Sequence, residues 1–263
     1  MADLQGRWRL PLCALLLLSP TWLFAAPVAA HKLEGTLHGY LELRSKDGKE
    51  LAVGDLINEV YGTRVTAHMI FHFKDGSVDD ETSVFTQHGI FRLISDHHLQ
   101  KGPFFAHPME MWVDALKGQV AVRTWDKNGK ESVQKQQMDL PQDLCSPAML
   151  TPVAKNLARG ASGAEVSMLV ATPKPMVVKL AYSAQGEDGF TVGGFDRKAE
   201  HYEIKFDLQG IAGVVAPLIG KQPPNLEIWI EEGAVPAFVK EVGPLAQDGP
   251  VVSIQQIGPV GPR

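Results

Sequence analysis

The chain has 263 residues, with 25 Lys or Arg against 30 Asp or Glu, a formal net charge of −5 and 44% apolar residues. That length and composition support a sizeable core, and the acidic balance, with no basic stripe or base-stacking motif, argues against nucleic acid as a partner. Of its two cysteines, Cys13 and Cys145, only the second lies outside the N-terminal leader, so a mature chain has no internal disulfide, and no cofactor motif is present.

The leader, residues 1–30, reads as a signal peptide. A short basic segment with Arg7 and Arg9 precedes an apolar run from Leu10 to Phe24, and Val28 and Ala30 are the small residues a signal peptidase reads before a cut, which predicts cleavage after Ala30. Pro11 and Pro20 interrupt the run, which falls short of the roughly 20 continuous apolar residues that span a bilayer. A periplasmic or secreted protein that does not span the membrane when mature is the expectation.

From residue 31 to 263 we read a single β-rich domain, with halves 31–139 and 161–258 joined by a helical segment, 140–160. Leu33, Gly35, Leu37, Gly39 and Leu41 alternate with polar residues, which is the period of a half-buried strand. Asp47-Gly48, Asp75-Gly76 and Asn128-Gly129 mark hairpin turns between alternating segments. In RVTAHMIFHFK, residues 64–74, Val65, Ala67, Met69, Phe71 and Phe73 form the core face and His68 and His72 share the other. Four residues apart on a helix, these histidines would suggest a metal pair. In a strand they are about 13 Å apart at ~3.3 Å per residue and hold no common ion. A two-residue turn at Asp75-Gly76 would set His72 opposite Asp79 and His68 opposite Ser83, with Glu81 on the same polar face.

The next cluster, Asp96-His97-His98, ends a strand and enters the Gly102-Pro103 loop, where functional side chains concentrate. Neighbouring His97 and His98 point to opposite faces, so only one of them joins Asp96 or His88. His72, His88, Asp96 and His98 are the alternative metal set, although His-Glu-x-x-His and paired cysteines are both missing. Phe104, Phe105, Met109, Met111 and Trp112 follow as candidate ligand-binding residues, since flexible methionines and flat aromatics repack around an apolar ligand; the other reading is a loop stapled to the sheet.

In the helical segment, Asp143 or Ser146 is the expected cap, Leu150, Val153, Ala154 and Leu157 the buried line, and Gly160 the stop. AEVSMLVA, PMVVKLAYSA, HYEIKFDLQ and NLEIWIEEG then read as strands. GVVAPLIGK, residues 213–221, lacks the spacing and the magnesium-binding hydroxyl of a phosphate loop.

The order of parts, with Asp139-Leu140-Pro141 entering a short helix between long strands, resembles the curved half-barrels of the periplasmic lipoprotein-carrier superfamily. DGSVDDET, FRLISDHHLQKGPFF and GVVAPLIGKQPP are similar to stretches of an uncharacterised bacterial secreted β-protein family. The resemblance implies a mainly β fold, a curved antiparallel half-barrel with one short helix, and carries over no catalytic residue. The expected role is an exported binding or carrier protein for an apolar or lipid-like ligand. The alternatives are a metal-assisted hydrolase using the cluster from His68 to His98, and a structural envelope-associated interaction module.

Overall fold

Alternation with period two recurs along nearly the whole chain, and the computed structural model, which describes residues 27–171, 174–207 and 223–258, pairs these segments into one sheet of fifteen strands. Most of the expected leader, the Gly213 to Lys221 stretch and the tail beyond Gly258 lie outside the described residues. Among the described residues no helix is long and apolar enough to cross a membrane.

The chain starts in the middle of the sheet and works outward by hairpins through β1 (Leu37–Ser45), β2 (Glu50–Tyr61), β3 (Arg64–Phe73), β4 (Val78–His88), β5 (Ile90–Lys101), β6 (Met109–Asp114), β7 (Gln119–Trp125) and β8 (Glu131–Gln137). It then crosses to the far edge and works inward through β9 (Leu144–Cys145), β10 (Ser162–Val170), β11 (Met176–Val192), β12 (Phe195–Asp207), β13 (Leu226–Glu231), β14 (Ala237–Pro244) and β15 (Val251–Ile257). There β15 pairs antiparallel with β1. All pairings are antiparallel except β9 with β10, so the sheet is mixed. The edge strand β9 comes back against β5, so the two wings curl over a shared interior.

That interior holds one large core. Val65, Phe85, Phe91 and Val120 from the first wing pack in the same cluster as Val166, Leu180, Tyr202 and Ile228 from the second. Between the wings sits a 3-10 turn, Pro147–Met149, leading into α1, Leu150–Ala154. The helix is far shorter than 140–160. Asp143, an expected cap, instead accepts from Ser167 Oγ at 2.9 Å and Lys179 Nζ at 2.7 Å, and Leu144 and Cys145 are drawn into the sheet beside β10. Ser146 caps nothing with its side chain. The expected apolar line survives: Leu150, Val153 and Ala154 are buried and Leu157 packs against them. At the other end, Asn156 Nδ2 donates to the Pro152 and Lys32 carbonyls, which ties the last turn to the incoming N-terminal segment.

Turn length sets which side chains face inward. At Lys74-Asp75-Gly76 the Phe73 N–H donates to the Ser77 carbonyl at 2.9 Å and the Gly76 N–H to the Phe73 carbonyl at 3.1 Å. The loop therefore has three residues, with Gly76 in the left-handed region at φ 86°, the form in which a tight turn is followed by a glycine bulge. The Gly48 and Gly129 turns close by the same pair of bonds. Compared with a two-residue turn, the register moves by one place. His72 faces Val78, Phe71 faces Asp79, Met69 faces Glu81 and Ala67 faces Ser83. Because side chains alternate strictly, that single step turns Asp79, Glu81 and Ser83 from the outer face to the inner one.

Close approach of β2 to β3 needs Gly54. A Cβ there would lie 2.3 Å from the Ile70 carbonyl oxygen and 2.6 Å from Phe71 Cδ1, on the inner face where backbone does not yield. Gly54→Ala is therefore expected to destabilise the fold by about 1–3 kcal/mol or more. Chemical denaturation against the parent checks this; an unchanged midpoint would mean the strands separate without penalty.

Candidate functional site

Two features of the interior stand out: an apolar cavity and, behind it, a buried polar cluster. The cavity has a volume of about 730 Å³ and lies on the concave face beneath α1. Leu56, Met69 and Phe85 line it from one wing, Leu226 and Phe238 from the other, and Leu150 from the helix. Its volume is within the ~300–1,000 Å³ of ligand sites, which combine apolar walls with a few placed polar groups. Here the polar groups on the walls include Asn58 of β2, whose buried Oδ1 has no hydrogen-bond partner among the described residues, and Glu241 of β14.

Residues 31–36 lie along the cavity and are strapped down by side chains from β4 and from the turn that ends α1. Asn156 Oδ1 accepts the His31 and Lys32 N–H groups at 2.7 and 2.6 Å, and Gln87 bonds both the N–H and the carbonyl of Glu34. Lys155 Nζ meets both Glu34 oxygens at 3.1 Å. Just upstream, Ala29 forms a bridge with Ile90 that cleavage after Ala30 would remove.

The polar cluster is built by β4 and β5. Two devices bring it inside: the three-residue turn before β4, and a bulge in β5 that breaks its pairing with β4 between Val84 and Phe85. Beyond the bulge Asp96, His98 and Gln100 face inward and Leu99 outward, the reverse of what an unbroken strand through the inward Leu93 would give. Ser83 thus pairs with Asp96, Glu81 with His98 and Asp79 with Gln100. His98 Nε2 meets Asp79 Oδ1 at 2.6 Å. Gln100 Nε2 donates to the Leu245 carbonyl at 2.9 Å, which joins the cluster to the opposite wing. Glu81 Oε1 accepts the Ala148 N–H at 3.0 Å, which fixes the 3-10 turn over it.

Ser83 Oγ lies within bonding distance of Glu81 Oε1, Asp96 Oδ1 and Ser146 Oγ. A hydroxyl has one proton to donate. Ser83 donates along one contact, Ser146 supplies a proton for a second, and the third needs a proton on a carboxyl group. Burial, followed by the nearby Glu81 charge, pushes Asp96 up to about 7, so Asp96 is the group that carries it. Burial alone would lower His98, but Asp79, then Glu81 and Asp96, override it and hold the imidazole at about 9. Glu241 is likewise raised to about 7 by burial and by Glu81. Glu81 Oε2 and Asp96 Oδ2 are buried with no partner among the described residues.

The residues expected to bind ligand are distributed otherwise. Phe105, Met109 and Met111 are buried in the core, the methionines beside Gln100 and His98. Phe104, tilted, and Phe105, edge-on, pack around Phe73 with ring centroids 4.4 and 5.6 Å away. Trp112 lies on the outer face, stacked on His97 at 5.3 Å beneath Arg123. None of the five lines the large cavity.

The alternative metal set does not converge. Asp96 and His98 share the inner face, while His72 and His88 are exposed. His68 pairs outside with Asp80 at 2.9 Å and His97 with Glu110 at 3.0 Å. Among the described residues no group of three or more His, Cys, Asp or Glu is arranged to hold a metal ion. His72, His88, Asp96 and His98 are therefore not brought to one point among the described residues. Cys145 is buried, and burial followed by the nearby Asp143 pushes its thiol up to about 12, the profile of an inert core cysteine.

No family model and no curated protein matches the chain. Among solved structures it is similar to the hypothetical lipoprotein YmcC from Escherichia coli (K12), at 7% identity and a TM-score of 0.35, over 89% of this chain and 90% of that one. Likeness at this level carries no activity across.

Proposed function

We propose that the protein is an exported binding or carrier protein for an apolar or lipid-like ligand, held as a single domain from residue 31 onward. The cavity beneath α1 carries this reading: about 730 Å³, with Leu, Met, Phe, Ala, Val, Ile and Pro side chains among its walls and a strapped segment along its border. The leader read from the sequence supports export. The binding residues in this reading are Leu56, Met69, Phe85, Leu226 and Phe238 rather than the aromatic cluster from Phe104 to Trp112.

Leu56→Trp, which fills the cavity from β2, tests it. The variant is expected to keep the parent's melting profile and to lose at least about tenfold, or ~1.4 kcal/mol, in affinity for a fluorescent acyl-chain probe. A parent that binds no such probe, and yields no lipid on extraction after gentle purification, would overturn the reading.

A further inference from the structure

Glu241 is a partly buried acid set in an apolar row. In β14 it faces inward between Ile228 of β13 and Ile254 of β15, both buried apolar side chains, and it lines the cavity. No hydrogen bond or ion pair holds it among the described residues. The other groups that face it offer none. Glu81, across the interior on β4, is itself acidic and bonded to Ala148 and Ser83. Tyr182 of β11 donates its phenol to the Leu150 carbonyl at 3.3 Å. His98, the one basic group of the cluster, is committed to Asp79, Lys155 to Glu34, and the neighbouring Lys240 lies over Trp229. An unpaired carboxyl in apolar surroundings is costly unless something supplies the missing partner.

The supplier must reach the interior and must not be anionic, because Glu81 lies across from Glu241 and the single imidazolium is already paired with Asp79. Apolar walls call for a hydrocarbon body, and an acidic end calls for a cationic, hydrogen-bond-donating head. Resting on the carrier reading, we propose that Glu241 is the specificity-determining residue of the cavity and that it receives the ammonium group of a long-chain amine. Asn58 belongs to a different part of the cavity. It pairs with Leu37, whereas the row running from Glu241 through Ile254 and Leu43 reaches β2 at Ala52, six residues or about 20 Å along the strand. The ligand therefore lies lengthwise, with its head at Glu241. Burial and Glu81, which raise Glu241 to about 7, make the pairing stronger on the alkaline side of that value, where the carboxylate and the ammonium are both charged.

The test is displacement of a fluorescent acyl probe by a chain-matched alkylamine, alcohol and fatty acid, above a pH of about 7 where Glu241 is ionised. Parent, Glu241→Gln and Glu241→Leu are compared. The amine should bind the parent at least roughly tenfold more tightly than the alcohol, as a charge-assisted bond implies, and the acid should bind most weakly. Both variants should lose that preference while still binding the alcohol, which also shows that their cavities are folded. Equal binding of all three compounds by the parent, or a preference that survives Glu241→Gln, overturns the assignment and leaves the carrier reading standing. If the parent binds no probe at all and yields no lipid, the carrier reading falls, and this inference with it; a bound probe that the amine does not displace overturns the assignment alone.

Discussion

Stability should be highest in mild acid and fall steadily as the pH rises from about 4 to about 9. Three interior groups set this. In the folded chain Asp96 is raised from 3.8 to about 7, Glu241 from 4.5 to about 7 and His98 from 6.5 to about 9. Across that window the folded state binds more protons than the unfolded one, so stability decreases with pH. The carboxyl groups weaken the fold as pH climbs from about 4 and complete their effect above about 7. His98 contributes stability that is fully present below about 6.5 and is lost as pH passes about 9. Each tenfold change in a group's proton affinity on folding corresponds to about 1.4 kcal/mol, so the combined effect amounts to several kcal/mol. The acids with lowered values, such as Asp47, Glu50 and Asp114, act in the opposite sense only below about 4.5 and are too exposed to compensate. Denaturant midpoints across the range measure this. Asp96→Asn and Glu241→Gln should each flatten the limb below neutrality, and His98→Gln the limb above it. A midpoint that stays level or rises between about pH 5 and 8 would refute the assignment.

The sequence makes the fold legible because the signals for strands are local. Alternation in residues 64–74 names Val65, Ala67, Met69, Phe71 and Phe73 as core; four of the five are buried, and Met69, half-buried, lines the cavity. The curved, mainly β architecture with a short helix between two β halves follows from the count and order of such segments. The polar cluster is hidden because inward or outward facing depends on registers fixed at two single points. A turn of three residues rather than two rotates Asp79, Glu81 and Ser83 inward, and a bulge after Leu93 does the same for Asp96 and His98. A run of Asp and Glu beyond a turn reads as a solvated face, since charged residues are rarely buried unless paired. Here the pairing comes from His98 on the next strand and from Ser146, Ala148 and Leu245 farther along the chain, none of which the run itself announces. The cavity is hidden for a related reason. Its walls come from both wings and the helix, and no local pattern distinguishes Leu56 or Leu226, which line a void, from Leu43, which fills the core. Only the stretch from Asp96 to His98 carries a local signal, since adjacent histidines in a strand must face opposite ways and one of the two has a place inside.

Asp79 and His98 should behave as a unit. Asp79→Leu alone leaves an imidazolium in the core with no counter-charge from its bonded partner, and removing one member of a buried ion pair typically costs about 3–5 kcal/mol. His98→Met alone strands the Asp79 carboxylate, whose only other hydrogen bond among the described residues is a long one of 3.4 Å from Gln100, and should be comparably destabilising. The double variant removes both charges. Asp79 stands beside Phe71, and His98 beside Met111, so Leu and Met at these positions would extend existing apolar contacts across the cluster. Replacing a whole buried pair by apolar groups is often neutral or better, so the double variant is expected to recover most of the loss, with a coupling energy of several kcal/mol in a double-mutant cycle. Denaturation of the four proteins at neutral pH measures it; additive losses would show that each residue acts through Gln100 or Glu81 and not through the other.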